Sequence, residues 1–201
     1  LASGTSEISG LLEGEDVLTT GRVMAALGAE VDRTGEGAWR VTGVGTAGLR
    51  TPNRDLDFGN SGAGSRLMLG VVAGYPIDAR FIGDASLSGR PMGRVLDPLS
   101  LMGVTYQASA GQRLPLTLQG KADLNAISYE PPHASAQIKS CILFAGLNAN
   151  GETNVRETRM TRDHSERMLR GFGAEVQSRR DGAANVVSIQ GHQRLSAQET
   201  I

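Results

Sequence analysis

The sequence predicts an α/β protein made of three βαβαββ repeats in one pseudo-threefold lobe, with the first repeat truncated at its start. Two observations carry this reading. A helix-ending glycine recurs three times, and a two-stranded hairpin follows it each time. The first observation rests on Met24-Ala-Ala-Leu-Gly28-Ala-Glu-Val31, Leu99-Ser-Leu-Met-Gly103-Val-Thr-Tyr106 and Leu169-Arg-Gly-Phe-Gly173-Ala-Glu-Val176. In each, an apolar helical stripe stops at a glycine suited to the left-handed C′ position, and a short strand begins. A second strand closes each hairpin and ends in glycine, at Gly43, Gly120 and Gly191.

Ahead of each helix lies a polar start: Glu15-Asp16, Asp84-Ala85-Ser86 and Thr161-Arg162-Asp163, all suited to helix N-termini. Before these come strands at Thr5–Ile8, Ile77–Ile82 and Glu152–Val155, and ahead of the last two a further helix, 60–73 and 134–147. The first copy keeps only the end of that further helix, because Leu1-Ala-Ser-Gly4 aligns with the segment that ends at Gly151. A period near 70 residues with mixed content points to sheets backed by helices in a single lobe. The units are 1–45 (truncated), 46–120 and 121–191, with no domain boundary inside 1–191; residues 192–201 fit no unit and read as a linker.

Twenty basic against 21 acidic side chains leave a net charge of −1, which excludes a general nucleic-acid or membrane-surface binder, so any anion site is local. No apolar run reaches membrane-spanning length. Cys141 stands alone in an apolar stretch and reads as a packed thiol, which fits a reducing, cytoplasmic setting. His133, His164, His192 and Cys141 lack metal-ligand spacing, and neither a metal nor a cofactor is expected. Asp163-His164-Ser165 is no hydrolase triad, since consecutive helix residues point apart.

Chemistry concentrates where small residues meet helix starts. Asp57-Phe-Gly-Asn60-Ser-Gly62-Ala-Gly64-Ser-Arg66 offers free backbone N–H groups with an arginine one turn in, which suits a phosphate or carboxylate. The same small residues would also serve tight helix-to-sheet packing, and both readings stand at this point. The dinucleotide fingerprint fails because Leu67 occupies the third glycine position, and the Walker loop fails at Gly83–Gly89. Pro91 suits a first helical position, with Arg90 just ahead of it. Ala134-Ser135-Ala136-Gln137 is a third such start, where Ser135 could equally be a simple cap. Arg156, Arg159 and Arg162 run into a helix N-terminus, a poor place for cations unless an anion lies beside them.

Taken together, Gly59-Asn-Ser-Gly62-Ala-Gly-Ser-Arg66, Gly83-Asp-Ala-Ser-Leu-Ser-Gly-Arg90-Pro-Met-Gly, Ala134-Ser-Ala-Gln137-Ile-Lys-Ser and Met160-Thr-Arg162-Asp-His resemble 5-enolpyruvylshikimate-3-phosphate synthase. The resemblance runs in order across nearly the whole chain and is nearest to the bacterial class with glyphosate-tolerant members. It implies the enolpyruvyl transferase inverse α/β barrel, with this chain as the N-terminal lobe and 192–201 leading towards a second lobe. By resemblance, Ser135, Ala136, Gln137 and Arg162 hold shikimate 3-phosphate, while Asn60, Gly62, Arg90 and Gln137 meet phosphoenolpyruvate. The family's Lys-Ser-x-Ser-His-Arg motif belongs on the absent first helix and its acid and base groups on the second lobe, so this chain alone is expected to be inactive. Gly62, having no side chain, would leave room for the longer inhibitor glyphosate. Two other readings compete: a lobe of the sister transferase acting on UDP-N-acetylglucosamine, against which Arg90-Pro91 and Ser135–Gln137 speak, and a stand-alone anion-binding module.

Overall fold

Three sheets repeat one strand order. The computed structural model describes residues 1–46 and 48–199. The elements are β1 (Ser3–Ile8), α1 (Glu15–Ala26), β2 (Glu30–Gly35), β3 (Ala38–Val44), β4 (Leu56–Asp57), α2 (Gly62–Ala73), β5 (Asp78–Ile82), α3 (Ala85–Ser88) and α4 (Gly93–Leu101). There follow β6 (Thr105–Ser109), β7 (Arg113–Gln119), β8 (Leu124–Asn125), β9 (Ser128–Tyr129), α5 (Ala136–Gly146), β10 (Ala149–Asn150), β11 (Glu152–Glu157), α6 (His164–Gly171), β12 (Val176–Asp181) and β13 (Ala184–Gln190). The second sheet runs β4-β5-β7-β6 and the third β9-β11-β13-β12, each with a parallel edge pair followed by antiparallel strands. The first runs β1-β3-β2, and among the described residues its β1 edge carries only an isolated parallel bridge, Ser3 to Ser196.

The helix-ending glycines adopt the left-handed conformation the sequence requires: φ is 109° at Gly28, 99° at Gly103 and 94° at Gly173. The hairpin-ending glycines answer a different need. A Cβ would lie 2.0 Å from the Ala2 carbonyl oxygen at Gly43, 2.1 Å from that of Tyr75 at Gly120 and 1.8 Å from that of Ala149 at Gly191. Only a residue without a side chain lets the backbones approach so closely, and this happens at the same point of every unit.

The segment 192–199 does not hang free as a linker. Leu195 is buried, the Ser3 N–H donates to the Leu195 carbonyl at 2.8 Å, and the Ala197 N–H donates to the Ser3 carbonyl at 2.9 Å. The Ser196 N–H also donates to the carbonyl of Phe172, as that of Arg50 does to Leu27 and that of Asn125 to Met102. Leu195-Ser196 therefore stands where β8 stands in the third unit, against β1 as β8 stands against β10. Sequence reasoning missed this because a two-residue contact leaves no periodic pattern. Thr200 and Ile201 lie outside the described residues.

The core centres on α2 and α5, which pack on each other and bury Leu69, Val72, Ala73, Ile142, Leu143 and Ala145. Fully burying such a leucine or valine contributes about 1.5–3 kcal/mol. Beside this pair lies an apolar trough of about 220 Å³, lined by residues including Ala2, Ile8, Val41, Phe144, Met168 and Phe172. It sits between β1, β3 and α6, the place that a helix equivalent to α2 and α5 takes in a complete unit. Phe58 and Phe81 stack with ring centroids 5.3 Å apart and anchor the chain just before Gly59-Asn60. Among the described residues, no helix is long and apolar enough to cross a membrane.

All three polar helix starts differ from expectation. Asp84 accepts from the Leu87 N–H at 2.7 Å and caps only the one-turn α3, which stops at Gly89, so the long helix of this unit begins at Gly93. Pro91 is therefore ahead of the helix rather than at its first position, and Arg90 lies in the connection between α3 and α4. Asp16 and Asp163 make no side-chain cap; Gly14 and Asp163 stand at the N-cap positions of α1 and α6 without one.

Gly120→Ala is expected to lower stability by at least about 2 kcal/mol in urea denaturation, since a methyl must displace backbone rather than a flexible side chain. Gly171→Ala, whose Cβ would meet nothing within 4 Å, is the matched control and is expected to be neutral or slightly stabilising. Equal losses in both variants would remove the close-approach explanation.

Candidate functional site

Ser61 caps α2 by accepting from the Gly64 N–H at 3.2 Å, which leaves Gly62 in the first turn facing two guanidinium groups. A Cβ on Gly62 would lie 3.0 Å from Arg90 Nη1 and 3.1 Å from Arg66 Nη1. Arg90 is oriented by Asn60 and Ser86: its Nη2 donates to Asn60 Oδ1 at 2.6 Å and to Ser86 Oγ at 3.0 Å. Arg66 is buried, donating through Nη1 to the Gly62 carbonyl and Gln137 Oε1, both at 3.2 Å, while its Nε lacks a partner among the described residues.

Burial, then the Arg94 and Arg90 charges, push the Arg66 guanidinium below its ordinary pKa. Arginines so close without a carboxylate between them repel one another, and an anion placed among them relieves that repulsion and satisfies unused N–H donors.

The second group of residues lies across Gln137. Ser135 caps α5, accepting from the Ile138 N–H at 3.4 Å. Ser135, Ala136, Gln137, Arg94, Thr161 and Arg162 line an open cavity of about 490 Å³. The structure thus gathers Asn60, Gly62 and Arg90 at one helix start and Ser135, Ala136, Gln137 and Arg162 at another. The Arg66–Gln137 hydrogen bond joins the two.

Of the three arginines expected beside an anion, Arg156 is already paired, with Glu130 at 3.3 Å and with Asp181, so it is withdrawn from the site. Arg94 was overlooked in the sequence; the signal was its place four residues beyond Arg90 in Arg90-Pro-Met-Gly-Arg94. Cys141 is fully buried and its thiol is pushed up in pKa by desolvation, which makes it a packing residue, not a nucleophile.

A sequence profile described as EPSP synthase (3-phosphoshikimate 1-carboxyvinyltransferase) matches residues 1–201. The chain belongs to the EPSP synthase family. It is 57% identical over 196 residues to the 3-phosphoshikimate 1-carboxyvinyltransferase of Hyphomonas neptunium, covering 97% of this chain and 45% of that one. With the enzyme of the same name from Afipia carboxidovorans it shares 59% over 182 residues, 90% of this chain and 41% of the relative. A solved EPSP synthase from Acinetobacter baumannii superposes with a TM-score of 0.93 at 42% identity, over all of this chain and 44% of that structure. The chain therefore spans somewhat less than half the length of these EPSP synthases, and its repeat architecture is that of their fold.

Inorganic phosphate is expected to raise the melting temperature, and saturation at a hundredfold over Kd corresponds to about 2.7 kcal/mol. The Arg66→Met variant should keep its stability without phosphate and lose most of the phosphate-dependent rise in a thermal-shift titration. An undiminished rise would take Arg66 out of the anion site.

Proposed function

We propose that this chain is one lobe of a transferase that moves the carboxyvinyl group of phosphoenolpyruvate to the 5-hydroxyl of shikimate 3-phosphate, in cytoplasmic aromatic amino-acid biosynthesis. The observation that carries this is the joining of two residue clusters through the Arg66–Gln137 hydrogen bond, one around Gly62 and Arg90 and one lining the 490 Å³ cavity, which this reading gives one to each phosphorylated reactant. In this reading Gly62, Asn60 and Arg90 take phosphoenolpyruvate, and Ser135, Ala136 and Arg162 take shikimate 3-phosphate. Gln137 touches both.

The reaction then needs a proton delivered to the enolpyruvyl methylene while the 5-hydroxyl oxygen attacks the adjacent carbon and gives up its own proton. Phosphate leaves as a methyl proton is withdrawn and the double bond reforms. This lobe supplies positioning and fixed positive charge. The groups that donate and accept protons are assigned to a second lobe, whose closure excludes water. A third interior helix, seated in the apolar trough beside β1 and α6, is assigned to residues outside this chain and carries the remaining substrate contacts.

Three measurements test this. The chain alone is expected to release no phosphate from phosphoenolpyruvate in the presence of shikimate 3-phosphate, whereas the protein with the upstream helix and second lobe should do so; release by the chain alone overturns the division of labour. Calorimetric titration should show preference for shikimate 3-phosphate over UDP-N-acetylglucosamine, and the reverse order points to the sister transferase. In the complete enzyme, Gly62→Ala crowds the mobile ends of two arginines, so glyphosate inhibition should weaken by at least about tenfold, 1.4 kcal/mol, with a smaller change in KM for phosphoenolpyruvate. Equal weakening for both ligands would remove the steric account.

A further inference from the structure

Behind the wall of the 490 Å³ cavity lies a buried ionic cluster that the proposed reaction leaves unused. Lys139, on α5 one turn beyond Ser135, has a side chain only 1% exposed. Its Nζ lies 3.0 Å from Glu157 Oε2 at the end of β11 and 2.6 Å from Glu166 Oε1 in the first turn of α6. Both carboxylates are buried, and Glu166 Oε2 has no partner among the described residues.

One lysine faces two carboxyl groups in the interior, a mismatch in number. A cluster built for stability alone would match its charges, because removing ions from water costs as much as pairing returns. The arrangement makes better sense by what it holds. Glu157 turns its second oxygen, Oε1, away from Lys139 and accepts from both the backbone N–H of Thr161 at 3.2 Å and its hydroxyl at 2.5 Å. Thr161 precedes Arg162 in a connection without regular structure, and Glu166 follows it four residues later. The residue expected to grip the phosphorylated sugar acid is thus tied on both sides to one lysine of the opposite wall. Ser165 Oγ donating to Ser140 Oγ at 2.7 Å repeats the link between α6 and α5.

We propose that Lys139, Glu157 and Glu166 are positioning residues that set the distance between the α5 start at Ser135–Gln137 and the Arg162 connection, and so fix affinity for shikimate 3-phosphate. This rests on the proposed function. Glu157→Gln leaves a single acceptor oxygen where Lys139 and Thr161 each need one, so the link between them is broken and Arg162 then samples positions outside reach of the ligand. Phosphoenolpyruvate is held at Gly62 and Arg90 on α2 and the α3–α4 connection and meets the braced helix start only through Gln137, which Arg66 also holds.

The test uses the complete enzyme. Glu157→Gln is expected to raise KM and Kd for shikimate 3-phosphate about tenfold while changing kcat and KM for phosphoenolpyruvate less than twofold. In an Arg162→Ala background the same substitution should add little, because its effect passes through that arginine. If Glu157→Gln lowers only the melting temperature and leaves the shikimate 3-phosphate Kd unchanged, or if its effect adds fully to that of Arg162→Ala, the cluster is merely structural and the inference is overturned. Should Glu157→Gln fail to fold, Thr161→Val, which removes only the hydroxyl end of the brace, is read in the same two backgrounds by the same criteria. A parent enzyme that neither binds nor turns over shikimate 3-phosphate removes the functional reading itself, an outcome distinct from an unaltered Kd in the variant.

Discussion

The close contact of α2 with α5 governs everything else in this lobe. Gly70 lies where a Cβ would be 2.1 Å from the Cys141 carbonyl oxygen, so the two helices meet backbone to backbone, not through side chains. Larger residues at that point would separate the helices and also the two helix starts they carry. Gln137 could then no longer reach Arg66 at 3.2 Å, and the two residue clusters of the candidate site would be uncoupled. The lone cysteine fits this geometry because a small polarisable side chain can be wholly buried there without demanding a partner.

Much of the fold was legible because the chain says the same thing three times. The glycines at 28, 103 and 173 announce left-handed backbone, and the structure has it at each. What stayed hidden was short or non-local. The division of the expected second-unit helix into α3 and α4 depends on Asp84 capping too early for the long helix. The docking of Leu195-Ser196 on β1 joins residues at opposite ends of the sequence.

The site was partly legible for a related reason. Helix starts rich in small residues can be found one at a time, and Asn60, Gly62, Ser135 and Gln137 belong to such segments, while Arg90 lies in the connection between α3 and α4. Their grouping depends on helix packing, which no local pattern encodes. Arg156 shows the converse: three arginines in a row invite one role, yet this one faces Glu130 and Asp181 across the third sheet. The Lys139 cluster is invisible in sequence, because a lysine in a largely apolar helix gives no hint of carboxylates 18 and 27 residues further on.

The tail that rests on β1 has a topological meaning. With Leu195 bonded to Ser3, the end of the third unit supplies the start of the first, and three sequential units become a ring with one seam. A ring has no intrinsic first unit. Its cut can be moved round to another connection with the neighbour contacts preserved, as a circular permutation does.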